Sequence, residues 1–195
     1  MFYNFVIICL RIFFTLCCPV RSRGKEKLPE GSCVLCPNHT ALRDPFYVAL
    51  AGGIKHKMAF MAKEELTRNK IVAAFLRGVG AFPVKRNTGD ISAIRASVNA
   101  IKSGRKLVMF PEGTRVKEGQ EHDAKAGAVM IASLAKVPVV PVYIHNASKW
   151  FRCVTVVFGE PVEIVIKSKK TASEEYKEIA SHIMSEVERM KREYK

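Results

Sequence analysis

Acidic residues are scarce: 18 of 195, against 32 lysines and arginines, for a formal net charge of +14. That imbalance favours polyanionic partners: nucleic acid, phosphorylated metabolites or an anionic lipid surface. Nucleic-acid signatures are missing as well. The sequence has no C2H2 finger spacing, RNP signature, basic zipper, RGG repeat or long single-sign tail, so nucleic acid is not expected as a partner. Six cysteines, at 9, 17, 18, 33, 36 and 153, lack the density and spacing of a secreted disulfide scaffold and point to a reducing, cytosol-facing compartment. Cys33-x-x-Cys36 is a single pair where a zinc ribbon needs two, and the five histidines show no H-E-x-x-H spacing, so no metal is expected. No G-x-S-x-G elbow and no G-x4-G-K-[ST] loop occurs, which disfavours a serine hydrolase and a P-loop NTPase.

What is present suits one domain with a sizeable core: 48% of residues are apolar and 26% charged. Met1 to Val20 is apolar except at Asn4, Arg11, Thr15 and Pro19, and the basic run Arg21, Arg23, Lys25, Lys27 follows. Charge after the apolar run, with no small-x-small site, does not fit a signal peptide. A spanning helix needs about 20 apolar residues, and Arg11 near its middle costs roughly 2.5–3.5 kcal/mol. The better fit is a helix lying in the cytoplasmic membrane interface, with Arg11 snorkelling and the basic flank on anionic head groups. The plainer alternative is a helix packed on the protein's own core. Residues 1–30 are accordingly read as the anchor and 31–195 as the main domain.

Beyond residue 30, apolar runs at Ser32–Cys36, Met58–Ala62, Lys106–Phe110 and Val137–Ile144 predict buried strands, alternating with helices near 45–52, 64–78, 90–102 and 124–136. In the third helix Asp90 is the predicted N-cap and Gly104 the stop, with Ile91, Ile94, Val98 and Ile101 along one stripe. Cys153–Phe158 and Pro161–Ile166 suggest a final hairpin or bent strand. Thr171-x-x-Glu174 suggests a capping box opening a helix with Tyr176, Ile179, Ile183, Val187 and Met190 on one face. The fold class is α/β, a single domain with a central mixed sheet flanked by helices and preceded by the interface helix.

Chemistry concentrates at strand ends, where open α/β folds place their sites. Asn38-His39-Thr40-Ala41-Leu42-Arg43-Asp44 follows the first predicted strand. On one helix His39 and Asp44 would be about 140° apart and would not meet. Pro45 suits a first helical position, which makes Asp44 the expected N-cap and leaves His39 in a loop that can turn its ring to the carboxylate. A carboxylate on one ring nitrogen fixes the tautomer and frees the other nitrogen as a general base. Pro111-Glu112-Gly113-Thr114-Arg115 follows another strand: Gly113 permits close backbone approach and Arg115 offers a fork for a phosphate. Lys63, Lys85 and Arg86 add cations in equivalent places. Together they fit a site holding a phosphate monoester beside a base.

Four segments carry a resemblance: Asn38-His39-x4-Asp44, Gly80-x-Phe82-Pro83-Val84-Lys85-Arg86, Phe110-Pro111-Glu112-Gly113-Thr114-Arg115 and Val137-Pro138-Val139-Val140-Pro141-Val142. In order and spacing they resemble the four blocks of the glycerolipid acyltransferases, most closely the bacterial-type 1-acyl-sn-glycerol-3-phosphate (lysophosphatidate) acyltransferases. Val116 departs from the serine the family often has there. The resemblance implies transfer of a fatty acyl group from a thioester on coenzyme A or acyl carrier protein to the sn-2 hydroxyl of lysophosphatidate, giving phosphatidic acid, without metal or cofactor. It implies His39 as base and Asp44 as its orienting partner, with Arg115, Lys63 and Arg86 on the substrate phosphate. Glu112, Gly113 and Thr114 shape the acceptor site, and Gly80, Phe82 and Val84 line the acyl path. Implied partners are lysophosphatidate, the acyl thioester, acyl carrier protein and an anionic membrane surface on the cytoplasmic face. The alternatives are glycerol 3-phosphate or another lysophospholipid as acceptor, or a non-catalytic cationic lipid-binding protein of the same fold.

A free imidazole titrating near about 6.5 suits removal of an alcohol proton and typically contributes roughly 10²–10⁴ in rate. A covalent route through Cys36, three residues before His39, is disfavoured because an unactivated thiol titrates near about 8.5. His56 and His122 are expected to be solvated, His145 to end a strand and His182 to lie on the last helix. Trp150 and Phe151, beside Lys149 and Arg152, suggest either membrane contact or core edge.

Overall fold

The computed structural model describes residues 2–84, 91–113, 126–167 and 171–194. Val34-Leu35-Cys36-Pro37 is buried at every position, as a strand covered on both faces requires, and it forms β2 near the centre of the sheet. The other strands are β1 (Val20–Arg23), β3 (Met58–Lys63), β4 (Ala81–Val84), β5 (Lys106–Val108), β6 (Val139–His145) and β7 (Val154–Phe158). They form one seven-stranded sheet in the order β1-β7-β6-β2-β5-β3-β4. Every pairing is parallel except β6 with β7, so the sheet is mixed as the sequence predicts.

Side chains alternate between the two faces. Leu35, Met58, Val108, Val140 and Val142 pack beneath α1 (Phe2–Cys17) and α2 (Asp44–Gly52). Val34, Cys36, Ala59, Leu107 and Val139 face α4 (Ile91–Lys102), α5 (Gly127–Ala135) and α6 (Ala172–Glu193). Of the predicted stripe, Ile94, Val98 and Ile101 meet the sheet while Ile91 is exposed; the expected cap Asp90 lies outside the described residues. The helix predicted over 64–78 is divided into a 3-10 turn at Glu64–Thr67 and α3 (Lys70–Gly78). Asn69 makes the division: its side chain accepts from the N–H groups of Ile71 and Val72 and caps a new helix.

Three local expectations give way to other contacts. Residues 161–166 add no strand; only Val162 bridges, antiparallel, to Val139, and β7 lies instead between β6 and β1. The capping box at Thr171 does not form, because the Thr171 hydroxyl donates to Glu175 Oε1 at 2.6 Å. The basic segment Val20–Arg23 is an edge strand in register with Val154–Val157.

α1 packs on the protein's own core along one side, as the plainer reading of the amino terminus expects. Tyr3, Ile7 and Phe14 belong to the main core, where the Tyr3 hydroxyl accepts from Met58 N–H at 3.0 Å and Phe14 meets Tyr47 edge-on at 5.3 Å. Its opposite side is also apolar and stays exposed: Phe5, Ile8, Ile12, Phe13 and Leu16. A helix apolar all round needs a second apolar neighbour beyond its core contact. Its 16 residues extend only about 24 Å. No helix among the described residues is long and apolar enough to cross a membrane.

Candidate functional site

β2 and β6 run parallel, with β6 continuing past the end of β2 to His145, and Asn38 fastens them. Its Oδ1 accepts from Ile144 N–H at 2.7 Å and its Nδ2 donates to Ile144 O at 3.3 Å. The chain leaves β2 at this fixed point, turns through residues 39–43, and enters α2 with Pro45 in the first turn. Asp44, fully buried, directs its carboxylate back into the turn instead of capping its own helix as expected. Oδ2 accepts from Thr40 N–H and Ala41 N–H at 2.8 Å each and lies 2.8 Å from His39 Nδ1. The reason is competition: the loop amides and the imidazole together outweigh one helix N–H.

A carboxylate can only accept, so His39 Nδ1 carries the proton and Nε2 is left as a proton acceptor. The ring stacks on Phe110, with centroids 4.0 Å apart and planes 27° apart, and the His39 side chain is 15% exposed. The backbone is held from a third direction: His39 N–H donates to Glu112 Oε2 at 3.0 Å. Glu112 arrives on the turn after β5, which Gly113 N–H closes onto Phe110 O at 3.0 Å with Gly113 at φ 69. The arrangement is an imidazole held on one ring nitrogen, on one ring face and through its own backbone, and in its neutral form it is equipped to take a proton from a hydroxyl on the other nitrogen.

The sheet brings His39, Asp44, Glu112 and Gly113 together. β2, β5 and β3 run parallel through Leu35↔Val108 and Phe60↔Val108, so the turns after β2 and β5 and Lys63 at the end of β3 lie along the same edge. Lys63, exposed at the end of β3, is therefore two strands from β2, about 10 Å across the sheet. Val84 pairs with Lys63 at that same edge. Phe82 packs in the core on the α4 side, and Gly80 lies at the opposite end of β4. Gly80 has φ 86, and a Cβ there would stand 2.4 Å from Met58 O, which accounts for glycine on backbone grounds. Thr114, Arg115, Arg86 and His122 lie outside the described residues.

Two contributors were present in the motifs without an assigned role: the Asn38 clasp and the Phe110 stack. Both adjoin a motif residue, but each needs a partner distant in sequence to acquire its function. Cys36 is buried beneath the turn, and burial pushes its thiol pKa up; Cys33 is likewise pushed up to about 11. His56, expected in solvent, is buried. Burial, then the charges of Lys106, Lys25 and Lys55, hold its pKa below the usual imidazole range. Among the described residues no three His, Cys, Asp or Glu side chains cluster as a metal site.

Residues 19–145 match the family model described as Acyltransferase. The chain is 34% identical over 178 residues to the 1-acyl-sn-glycerol-3-phosphate acyltransferase of Streptococcus pneumoniae, covering 87% of this chain and 65% of that protein. It is 34% identical over 140 residues to the enzyme of the same name from Bacillus subtilis, covering 71% and 69%. The chain thus spans about two thirds of the length of these relatives. The crystal structure of the 1-acyl-sn-glycerophosphate acyltransferase PlsC from Thermotoga maritima is similar, with a TM-score of 0.71 at 26% identity, covering 97% of this chain and 81% of that one. From the family match, the relatives and the shared fold, the chain belongs to the acyltransferase family.

Proposed function

We propose that this protein transfers a fatty acyl group from an acyl thioester to the sn-2 hydroxyl of 1-acyl-sn-glycerol 3-phosphate, forming phosphatidic acid. The observation that carries the reading is the 2.8 Å contact between His39 Nδ1 and a buried Asp44 in the ordered turn after β2. His39 Nε2 takes the proton as the hydroxyl oxygen attacks the thioester carbonyl. The C–S bond then breaks and the departing thiolate receives that proton from the imidazolium, so no group is left on the enzyme. Asp44 holds the ring and stabilises its transient positive charge. Lys63 receives the acceptor phosphate together with Arg115 and Arg86, while Glu112, Gly113 and Thr114 contribute to the acceptor site. Phe82 and Val84, with Gly80 behind them, border the acyl path. The reaction needs no metal or cofactor; coenzyme A or acyl carrier protein is the donor's carrier.

The substrate resides in lipid, and the exposed apolar side of α1 supports attachment of the protein to the cytoplasmic face of a membrane, with the excess positive charge against anionic head groups. The test is a mass-spectrometric assay that offers lysophosphatidate and glycerol 3-phosphate separately, each with oleoyl-coenzyme A and with oleoyl carrier protein. Phosphatidic acid from lysophosphatidate is the expected product. Product from glycerol 3-phosphate alone would replace the acceptor, and no transfer from any pairing would favour a non-catalytic lipid-binding role.

A further inference from the structure

The β6–β7 connection carries an unusual pair of side chains. Trp150 and Phe151 are 53% and 79% exposed, and Phe151 holds a φ of 57, a left-handed conformation that bulky residues rarely adopt. In water the Phe151 side chain gains little from so exposed a position. The loop is nevertheless well defined: Lys149 N–H donates to Asn146 O at 3.1 Å, and Asn146 Nδ2 donates to Cys153 O at 3.5 Å across its neck. Lys149 and Arg152, both exposed, flank the aromatics. Exposed aromatics between cations are the composition of a segment seated among anionic lipid head groups.

Its position gives that composition a use. β6 ends at the Asn38 clasp, so the loop leaves the sheet beside the His39 turn. Arg43, within that turn, stacks its guanidinium 3.6 Å from the Trp150 ring centroid and donates to Ala147 O at 3.2 Å and Ser148 O at 3.4 Å. On its other side the loop borders the end of α1, where Val154 N–H donates to Pro19 O at 2.9 Å. Leu42 and Leu16, 73% and 81% exposed, belong to the same end of the molecule.

We propose that residues 146–153 form a second membrane-contact element, inserted into an anionic bilayer through Trp150 and Phe151 and braced from behind by Arg43. This extends the reading that the protein works at a lipid surface and rests on it. The loop seated in the head-group layer sets the His39 turn at that depth, where the hydroxyl of a lysophospholipid is found. α1 supplies attachment; the loop fixes which end of the sheet faces the lipid.

Trp150 is the single tryptophan, so selectively excited tryptophan fluorescence of the full chain reports on this loop alone. Vesicles of phosphatidylglycerol and phosphatidylcholine in equal parts are expected to shift its emission to the blue and protect it from acrylamide, and brominated acyl chains to quench it. Phe151→Asn, whose side chain tolerates the left-handed conformation and preserves the fold, is expected to weaken vesicle partition roughly tenfold. Protein that sediments with vesicles while Trp150 emission and acrylamide access stay unchanged would overturn the loop's role and leave the lipid-surface reading intact. Failure to sediment with any vesicle would overturn both. An emission shift caused by acyl carrier protein, with none from vesicles, would assign the loop to a protein partner instead.

Discussion

One oxygen of Asp44 receives the imidazole and two backbone amides, so the residue both orients the base and closes the turn. Asp44→Asn leaves three N–H donors facing a single amide that can turn its own NH2 toward them. Turnover is expected to fall roughly 10²–10⁴-fold and stability by about 1–3 kcal/mol, measured by steady-state transfer and urea unfolding. Cys36 answers the opposite question. Because burial keeps its thiol protonated, Cys36→Ser is expected to keep transfer within a few-fold of the intact protein. A loss as deep as that of a histidine deletion would establish an acyl-enzyme. His56 gives a pH signature: its folded pKa lies below the ordinary value near 6.5, so the unfolded chain binds the proton first. Stability contributed by neutral His56 is lost as pH falls from about 6.5 toward the lower folded value, and then levels. Urea midpoints between pH 7 and 5 should decline less in His56→Gln than in the parent; equal slopes would remove His56 as the cause.

Helix α1 has one side in the core and an exposed apolar side opposite. Deleting it would strip Tyr3, Ile7 and Phe14 from the core, so loss of membrane binding after deletion could reflect unfolding. Replacing Phe5, Ile8 and Ile12 by serine touches only its exposed side. Those three changes are expected to move the protein from sedimenting vesicles to the supernatant with an unaltered thermal midpoint. Retained sedimentation would assign attachment to other surfaces. Among the strands, β2, β3, β5 and β6 were legible because a strand buried on both faces is apolar over most of its length. The edge strands were not. In β1 the side chains of Arg21, Ser22 and Arg23 are exposed and only its backbone pairs, which leaves no pattern to read. β4 contains Pro83, which an edge strand tolerates and a central strand does not.

Across the whole molecule, the seven-stranded sheet collects widely separated motifs along one edge, with α1, α2 and α3 on one face and α4, α5 and α6 on the other. The His39–Asp44 pairing was legible because Pro45 and a five-residue spacing confine it to one turn. Its supports were not: Asn38 needs Ile144, His39 N–H needs Glu112 and Arg43 needs Trp150, all contacts across more than 70 residues of chain. With a net charge of +14, vesicle binding should weaken as salt rises and as anionic lipid is removed. The central claim is that His39 is the base for acyl transfer to a lysophosphatidate hydroxyl. The most direct measurement compares phosphatidic acid formed from lysophosphatidate and oleoyl-coenzyme A by the intact protein and by His39→Ala, with circular dichroism showing both folded. Product from the intact protein and at least roughly a hundredfold less from the variant is the expected result. Comparable product from both would contradict the account.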